Sequence, residues 1–167
     1  MTERAEALRA LLVRNFERIE KVREQRAPLY DTVCARLAPG TAARGLGISV
    51  DILAPGMRGC PYHLHHAQEE AFVVLEGRGT LRVAGEKVPI EAGDVIFIPP
   101  GPEYPHQIVN TSDAPLKFLS ISTQESPEIC EYPDSGKVLS VAKHAGHAPF
   151  GRMHRLADDL DYWDGEP

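Results

Sequence analysis

The chain has 167 residues, is 43% hydrophobic and carries a formal net charge of −6. That is enough apolar matter for one compact domain with a core, and the acidic balance leaves no footprint for a nucleic-acid partner. No apolar stretch approaches the roughly 20 residues that cross a bilayer and the start MTERAEALRALL is charged throughout, so a soluble, cytoplasmic protein without a membrane partner is expected.

Residues 3–26 place Leu8, Leu12, Phe16 and Ile19 at spacings of three or four, with Arg and Glu on the other faces. This is the pattern of an amphipathic helix. Thr2 suits its N-cap, with Glu3 and Glu6 in or near the first turn, and the Ala27-Pro28 step ends it. The helix would pack on the rest of the fold or on a second subunit, since it lacks a wide apolar face edged by basic residues.

From residue 44 the period changes from about 3.6 to 2. Leu46, Ile48, Val50 and Ile52 alternate in LGISVDIL, and AFVVLEG, TLRVAG, VIFIPPG, HQIVN and LKFLSIS follow. Short turn signals (PG, GRG, AGEK, EAGD, NTSDAP) separate these runs, which predicts an antiparallel sandwich or barrel. Beyond Ser126 the alternation weakens. EYPDSGKVLSV suggests one more strand, residues 143–167 look irregular, and Tyr162 and Trp163 predict a tail that docks on the barrel or on a neighbouring subunit. The expected organisation is a helical segment over 1–30, a barrel over 31–125 and an extension over 126–167.

Titratable side chains concentrate in CPYHLHHAQEE, residues 60–70. On a strand, residues i and i+2 share a face, so His63 and His65 project together while Leu64 and His66 turn away. Glu70 opens the next apolar run on the face of Phe72 and Val74. A carboxylate there is costly unless it is paired or bound to a cation, and a divalent metal resolves that cost. Imidazole and carboxylate without thiolate suit Fe, Mn, Ni, Co or Zn. His106, at the head of HQIVN, is a third imidazole that curling of the strands would bring close.

In these residues the chain resembles the cupin superfamily of small β-barrels. The family's first motif, G(x)5HxH(x)3-4E(x)6G, is matched by His63-Leu-His65, four residues, Glu70, six residues and Gly77. The second, G(x)5PxG(x)2H(x)3N, is matched by Gly93, five residues, Pro99-Pro-Gly101, then His106, three residues and Asn110. Arg78 to Ala92 separate the two motifs. In two places the pattern departs: Met57 stands where the leading glycine of the first motif falls, and the four residues Pro102 to Pro105, rather than two, separate Gly101 from His106. The resemblance spans roughly residues 44–122. It implies an all-β, double-stranded β-helix (jelly-roll) barrel in which His63, His65, Glu70 and His106 bind one divalent metal ion.

Other residues are assigned by position. Tyr62, Phe72, Tyr104 and Phe118 are candidates for contact with substrate, and Phe72, Val74, Phe97, Ile108 and Phe118 for core or pocket wall. Cys34, Cys60 and Cys130 form no CxxC pair, so reduced thiols are expected, and Cys60 is expected to serve packing. His144, His147 and His154 read as exposed tail residues, and the prolines around residues 99–105 as stiffeners of the turn that presents His106.

Three neutral imidazoles and one carboxylate around a divalent cation leave a net charge near +1, which favours an anionic oxygen donor. The resulting expectation is a metal-binding enzyme, a homodimer, acting on a small-molecule ligand such as a sugar, sugar phosphate, keto acid or hydroxy acid. The metal would serve as Lewis acid, and Tyr62, Tyr104 and Glu69 are the nearest titratable groups. A non-catalytic metabolite-binding or sensor barrel, a storage or assembly role, and an Fe(II) dioxygenase are the alternatives, because the fold does not choose among them.

Overall fold

The computed structural model describes every residue except 144, 145 and 147. The first element is an α-helix, α1 (Glu3–Leu12), capped by the Thr2 hydroxyl, which accepts from the Ala5 N–H at 3.3 Å. The helix stops well short of residue 26. Asn15 accepts the backbone N–H groups of Glu17 and Arg18 at 2.9 and 3.2 Å, offering the backbone an alternative to further helical turns. The chain then extends into β1 (Val22–Arg26), which pairs with β2 (Tyr30–Arg36). Leu8 and Leu12 remain exposed. Phe16 and Ile19 are packed instead against Ala35, Leu37 and Val50.

Among the described residues all strand pairs are antiparallel. One sheet runs β1, β2, β3 (Leu46–Leu53), β10 (Leu116–Thr123), β5 (Glu70–Glu76), β8 (Val95–Ile98). A second runs β7 (Glu86–Glu91), β6 (Arg78–Val83), β9 (His106–Val109), and a third β13 (Phe150–Arg155), β12 (Lys137–Ala142), β11 (Glu128–Tyr132), β4 (Leu64–His65). His63 and His106 exchange backbone hydrogen bonds of 3.1 and 2.7 Å, and among the described residues this is the backbone pair that joins the second sheet to the third. Leu53, Phe72, Val74 and Phe118 of the large sheet meet Leu81, Ile90 and Ile108 of the second in one core. The architecture is the expected all-β barrel.

Register decides which side chains enter it. On β3 the apolar residues Ile48 and Val50 face outward beneath Phe16 and Ile19, leaving Ser49, Asp51 and Leu53 on the inner face. The partners of these three on β10 are Ser120, Phe118 and Leu116. Lys117, on the outer face, is buried and bonds Glu17 and Glu76 at 2.5 and 2.9 Å, tying the 15–21 segment to the sheet. On β8, Phe97 pairs with Ala71, whereas Ile98 pairs with Glu70. Phe97 therefore points away from the interior and is 70% exposed, which corrects its assignment to the core or pocket wall.

The C-terminal region is more regular than its composition suggests. β11 and β12 form a hairpin across a 3-10 turn at Pro133–Ser135, and β13 adds a further strand over residues read as irregular. Tyr162 and Trp163 are exposed and pack edge-to-face on each other, with ring centroids 4.8 Å apart. His154 lies exposed on β13, while His144 and His147 lie outside the described residues. Among the described residues no helix is long and apolar enough to cross a membrane.

Two turn positions carry backbone demands. Gly77 has φ +86°, and a Cβ there would run into the Pro115 carbonyl oxygen. Ala84 and Gly85, between β6 and β7, have φ of 49° and 83°, a left-handed pair that favours Asn or Gly over Ala. Gly77→Ala is expected to destabilise the fold by about 1–3 kcal/mol. Ala84→Asn is expected to stabilise it by about 0.5–1 kcal/mol. Urea denaturation of both variants checks this, and unchanged midpoints would refute it.

Candidate metal centre

Glu70 opens β5 with its side chain on the inner face and is only 9% exposed. Three imidazoles turn their Nε2 atoms toward its Oε2, at 2.8 Å from His106, 3.4 Å from His65 and 3.9 Å from His63. The elements explain this convergence. The backbone pair between His63 and His106 sets those rings side by side, with centroids 4.5 Å apart, and β4 holds His65 against Cys130 of β11. The longer 102–105 loop does not displace His106, because the Gly101 N–H donates to the His65 carbonyl at 2.7 Å and anchors the loop's start.

The far nitrogens fix the orientation of the rings. His63 Nδ1 lies 2.9 Å from the Pro61 carbonyl and His106 Nδ1 lies 3.2 Å from the Tyr104 carbonyl. A carbonyl only accepts, so each of these Nδ1 atoms carries a proton, and a cation at the centre would meet the Nε2 lone pairs of the neutral rings. His65 Nδ1 lies 3.3 Å from Glu128 Oε1 and 3.2 Å from Cys130 Sγ. Its Nε2 is buried and has no hydrogen-bond partner.

The electrostatics call for positive charge beside Glu70. Burial works against its charged form, but the hydrogen bond with His106 and the close imidazole of His65 outweigh this and hold the carboxyl well below the usual carboxylate range. Burial, with His106 nearby, pushes His63 down to about 4, leaving its Nε2 free to donate a lone pair at neutral pH. At His65, burial is outweighed by Cys130 and Glu70, which raise its pKa to about 10. A divalent cation would supply the charge that these protons otherwise supply. Nitrogen and oxygen donors of this kind, with an orphaned Nε2 among them, fit such an ion. The ligand atoms of His63, Glu70 and His106 all lie within 4.8 Å of one another.

A second cluster, His65, Glu128 and Cys130, adjoins the first. Glu128 is 1% exposed and accepts the backbone N–H groups of His66, Ala67 and Gln68 at 3.1, 3.1 and 2.7 Å. Its lone pairs are taken up in orienting His65 and pinning the turn after it. No local signal in the sequence marks Glu128, because the role comes from the pairing of β11 with β4.

The centre borders a cavity of about 270 Å³. Phe72 and Phe118 line it, together with Ser49, Asp51, Cys60 and Ser120. Tyr62 and Tyr104 are not among its walls. The Tyr62 hydroxyl accepts from the Gly85 N–H at 3.1 Å while Arg82 covers its ring, and Tyr104 is 43% exposed. Glu69 is exposed, and His66 bonds Glu131 at 2.7 Å on the surface. Burial pushes the Cys60 thiol up to about 12, leaving it protonated. Asp51 is the acid on the cavity wall that the sequence reading missed. Burial raises its pKa, only partly opposed by the Ser49 hydroxyl, which donates to Oδ2 at 2.6 Å.

A family model described as a cupin domain matches residues 49–122. The crystal structure of a provisionally named sugar phosphate isomerase from Acidithiobacillus ferrooxidans is similar over 92% of this chain and 97% of that one, at a TM-score of 0.77 and 28% identity. A predicted oxalate decarboxylase from Thermotoga maritima is similar over 67% of this chain and 98% of that one, at a TM-score of 0.57 and 30% identity. An uncharacterized protein of Methanocaldococcus jannaschii is 41% identical over 73 residues, 41% of this chain and 57% of that protein. The chain spans about half the length of most curated relatives it matches.

Elemental analysis of protein purified without chelators is expected to find a divalent metal that His63→Ala and Glu70→Gln remove while circular dichroism stays that of a folded barrel. Wild-type metal content in both variants would strike these residues from the ligand set. Glu128→Gln is expected to retain the ligands but weaken metal binding by roughly 10–100-fold, read by competition with a chromophoric chelator; unchanged affinity would leave Glu128 a purely structural role.

Proposed function

The chain belongs to the cupin superfamily, and from that we propose that it is a metal-dependent isomerase of a small hydroxy-carbonyl metabolite of the sugar type. One observation carries the reading: the cavity that holds the histidine and glutamate cluster also holds a half-buried acid, Asp51, with the hydroxyl-bearing residues Ser49 and Ser120 in the same wall. Hydroxyl-bearing walls suit a hydroxylated carbon chain. The similarity to a provisionally named sugar phosphate isomerase over nearly the whole chain supports the same class.

His63, His65, Glu70 and His106 would hold the divalent cation, which when bound supplies Lewis-acid polarisation of a carbonyl oxygen. The chain's own residues do the remainder. Asp51, as a carboxylate, takes the proton from the carbon next to the carbonyl, whose bond electrons form the carbon–carbon double bond of an enediolate. It returns that proton to the former carbonyl carbon while a proton moves between the two oxygens, so the product is an isomer and no external oxidant or reductant is consumed. Ser49 orients the Asp51 carboxylate through its 2.6 Å hydrogen bond. Phe72 and Phe118 restrict water in the cavity.

Asp51→Asn is expected to lower turnover by about 10²–10⁴-fold with metal content unchanged. Because burial raises the Asp51 pKa, the acid limb of the kcat profile is expected above the ordinary carboxylate range, with activity gained as pH rises through it. The assay is NMR of metal-loaded protein with a panel of aldoses, ketoses and their phosphates in deuterated water, where deuterium enters at the carbon next to the carbonyl. Absence of exchange and turnover across the panel would overturn the reading. Substrate-dependent oxygen uptake by iron-loaded protein would replace it with dioxygenase chemistry, and retention of a ligand such as oxalate without turnover would replace it with a binding role.

A further inference from the structure

The interior does not end at the metal cavity. Ser49 and Ser120 also line a second cavity of about 520 Å³, whose walls include Arg36 and Arg44. Arg36 closes β2 opposite Ser49 in the register of β2 with β3, on the face of Cys34, and both it and Arg44 are exposed to solvent. Arg44 lies in the loop that leads into β3. In a chain of net charge −6, this cavity is lined by two guanidinium groups and by no Asp or Glu. Neither arginine has a carboxylate partner among the described residues, unlike Arg23, paired with Asp31, and Arg82, paired with Asp134. Ser122 and Gln124 add hydroxyl and amide donors to the same wall.

Two unpaired guanidinium groups with polar donors between them match the oxygens of a dianion, and the planar fork of arginine binds such oxygens in pairs. The two cavities share Ser49 and Ser120 in their walls, which sets the arginine-lined cavity beside the metal cavity. A molecule of two carbons, such as oxalate, is too short to fill both. We propose that Arg36 and Arg44 bind the phosphate of a phosphate monoester whose hydroxy-carbonyl end lies in the metal cavity. The proposal rests on the isomerase reading and narrows its substrate class to phosphorylated compounds.

The test is independent of turnover. Chelator-treated full-length protein is titrated with glycerol 3-phosphate, inorganic phosphate and glycerol in a calorimeter. The wild type is expected to bind both phosphates and not glycerol. Arg36→Ala/Arg44→Ala is expected to weaken phosphate binding by about 10-fold or more with an unchanged melting temperature, and Arg152→Ala, on β13 and outside the walls of both cavities, to leave it unaltered. Phosphate binding that is absent in the wild type, or equal in the wild type and the double variant, overturns the assignment. Asp51→Asn is expected to bind phosphate normally, so loss of isomerase activity with phosphate binding intact separates failure of the chemistry from failure of the phosphate site.

Discussion

Glu70 is a carboxylate placed on the inner face of a β-strand, where an unpaired negative charge costs several kcal/mol. Its environment compensates for that charge: three rings arrive from two segments of chain, and each has its distal nitrogen held so that the proximal one faces the same oxygen. Because a strand alternates its faces, moving any of these segments by one residue would turn its imidazole to the other side. The need to satisfy one buried carboxylate therefore constrains the register of β4, β5 and β9 together.

The supporting layer follows from the same constraint. Glu128 is saturated by three backbone N–H groups and His65, which fixes the turn between β4 and β5 from the far side. Asn110 has the corresponding role at the end of β9. Its amide donates to the Leu53 and Ala114 carbonyls while its oxygen accepts from Ser112, locking the turn into β10. Both residues are fully buried polar groups with their hydrogen bonds made, the condition under which burial of polarity is tolerated. Rigid walls of this kind leave the cavity chemistry to a few side chains on strands rather than to loops.

Legibility from sequence followed the range of the interactions. The four members of the cluster were readable because strand alternation and motif spacing are local properties, and the barrel was readable from repeated short runs and turns. Glu128 was not, since its contacts span about 60 residues of chain and rest on a strand pairing that no local pattern announces. Asp51 was hidden by an ambiguity of faces. On β3 both faces are covered, and the more apolar one, with Ile48 and Val50, turns outward under Phe16 and Ile19. The 3–26 pattern located two residues that pack half-buried on the sheet, Phe16 and Ile19, but not their conformation, because helix periodicity persists past the point where Asn15 diverts the backbone.

The backbone pair between His63 and His106 is the sole ladder contact between the second and third sheets among the described residues. The side chains of the same two residues would grip one cation. Such an ion would act as a clasp across a seam, so filling the centre would couple the mechanical closure of the barrel wall to the assembly of its chemistry. Opening at that seam would dismantle both at once, and the rest of the barrel need not melt for this to happen.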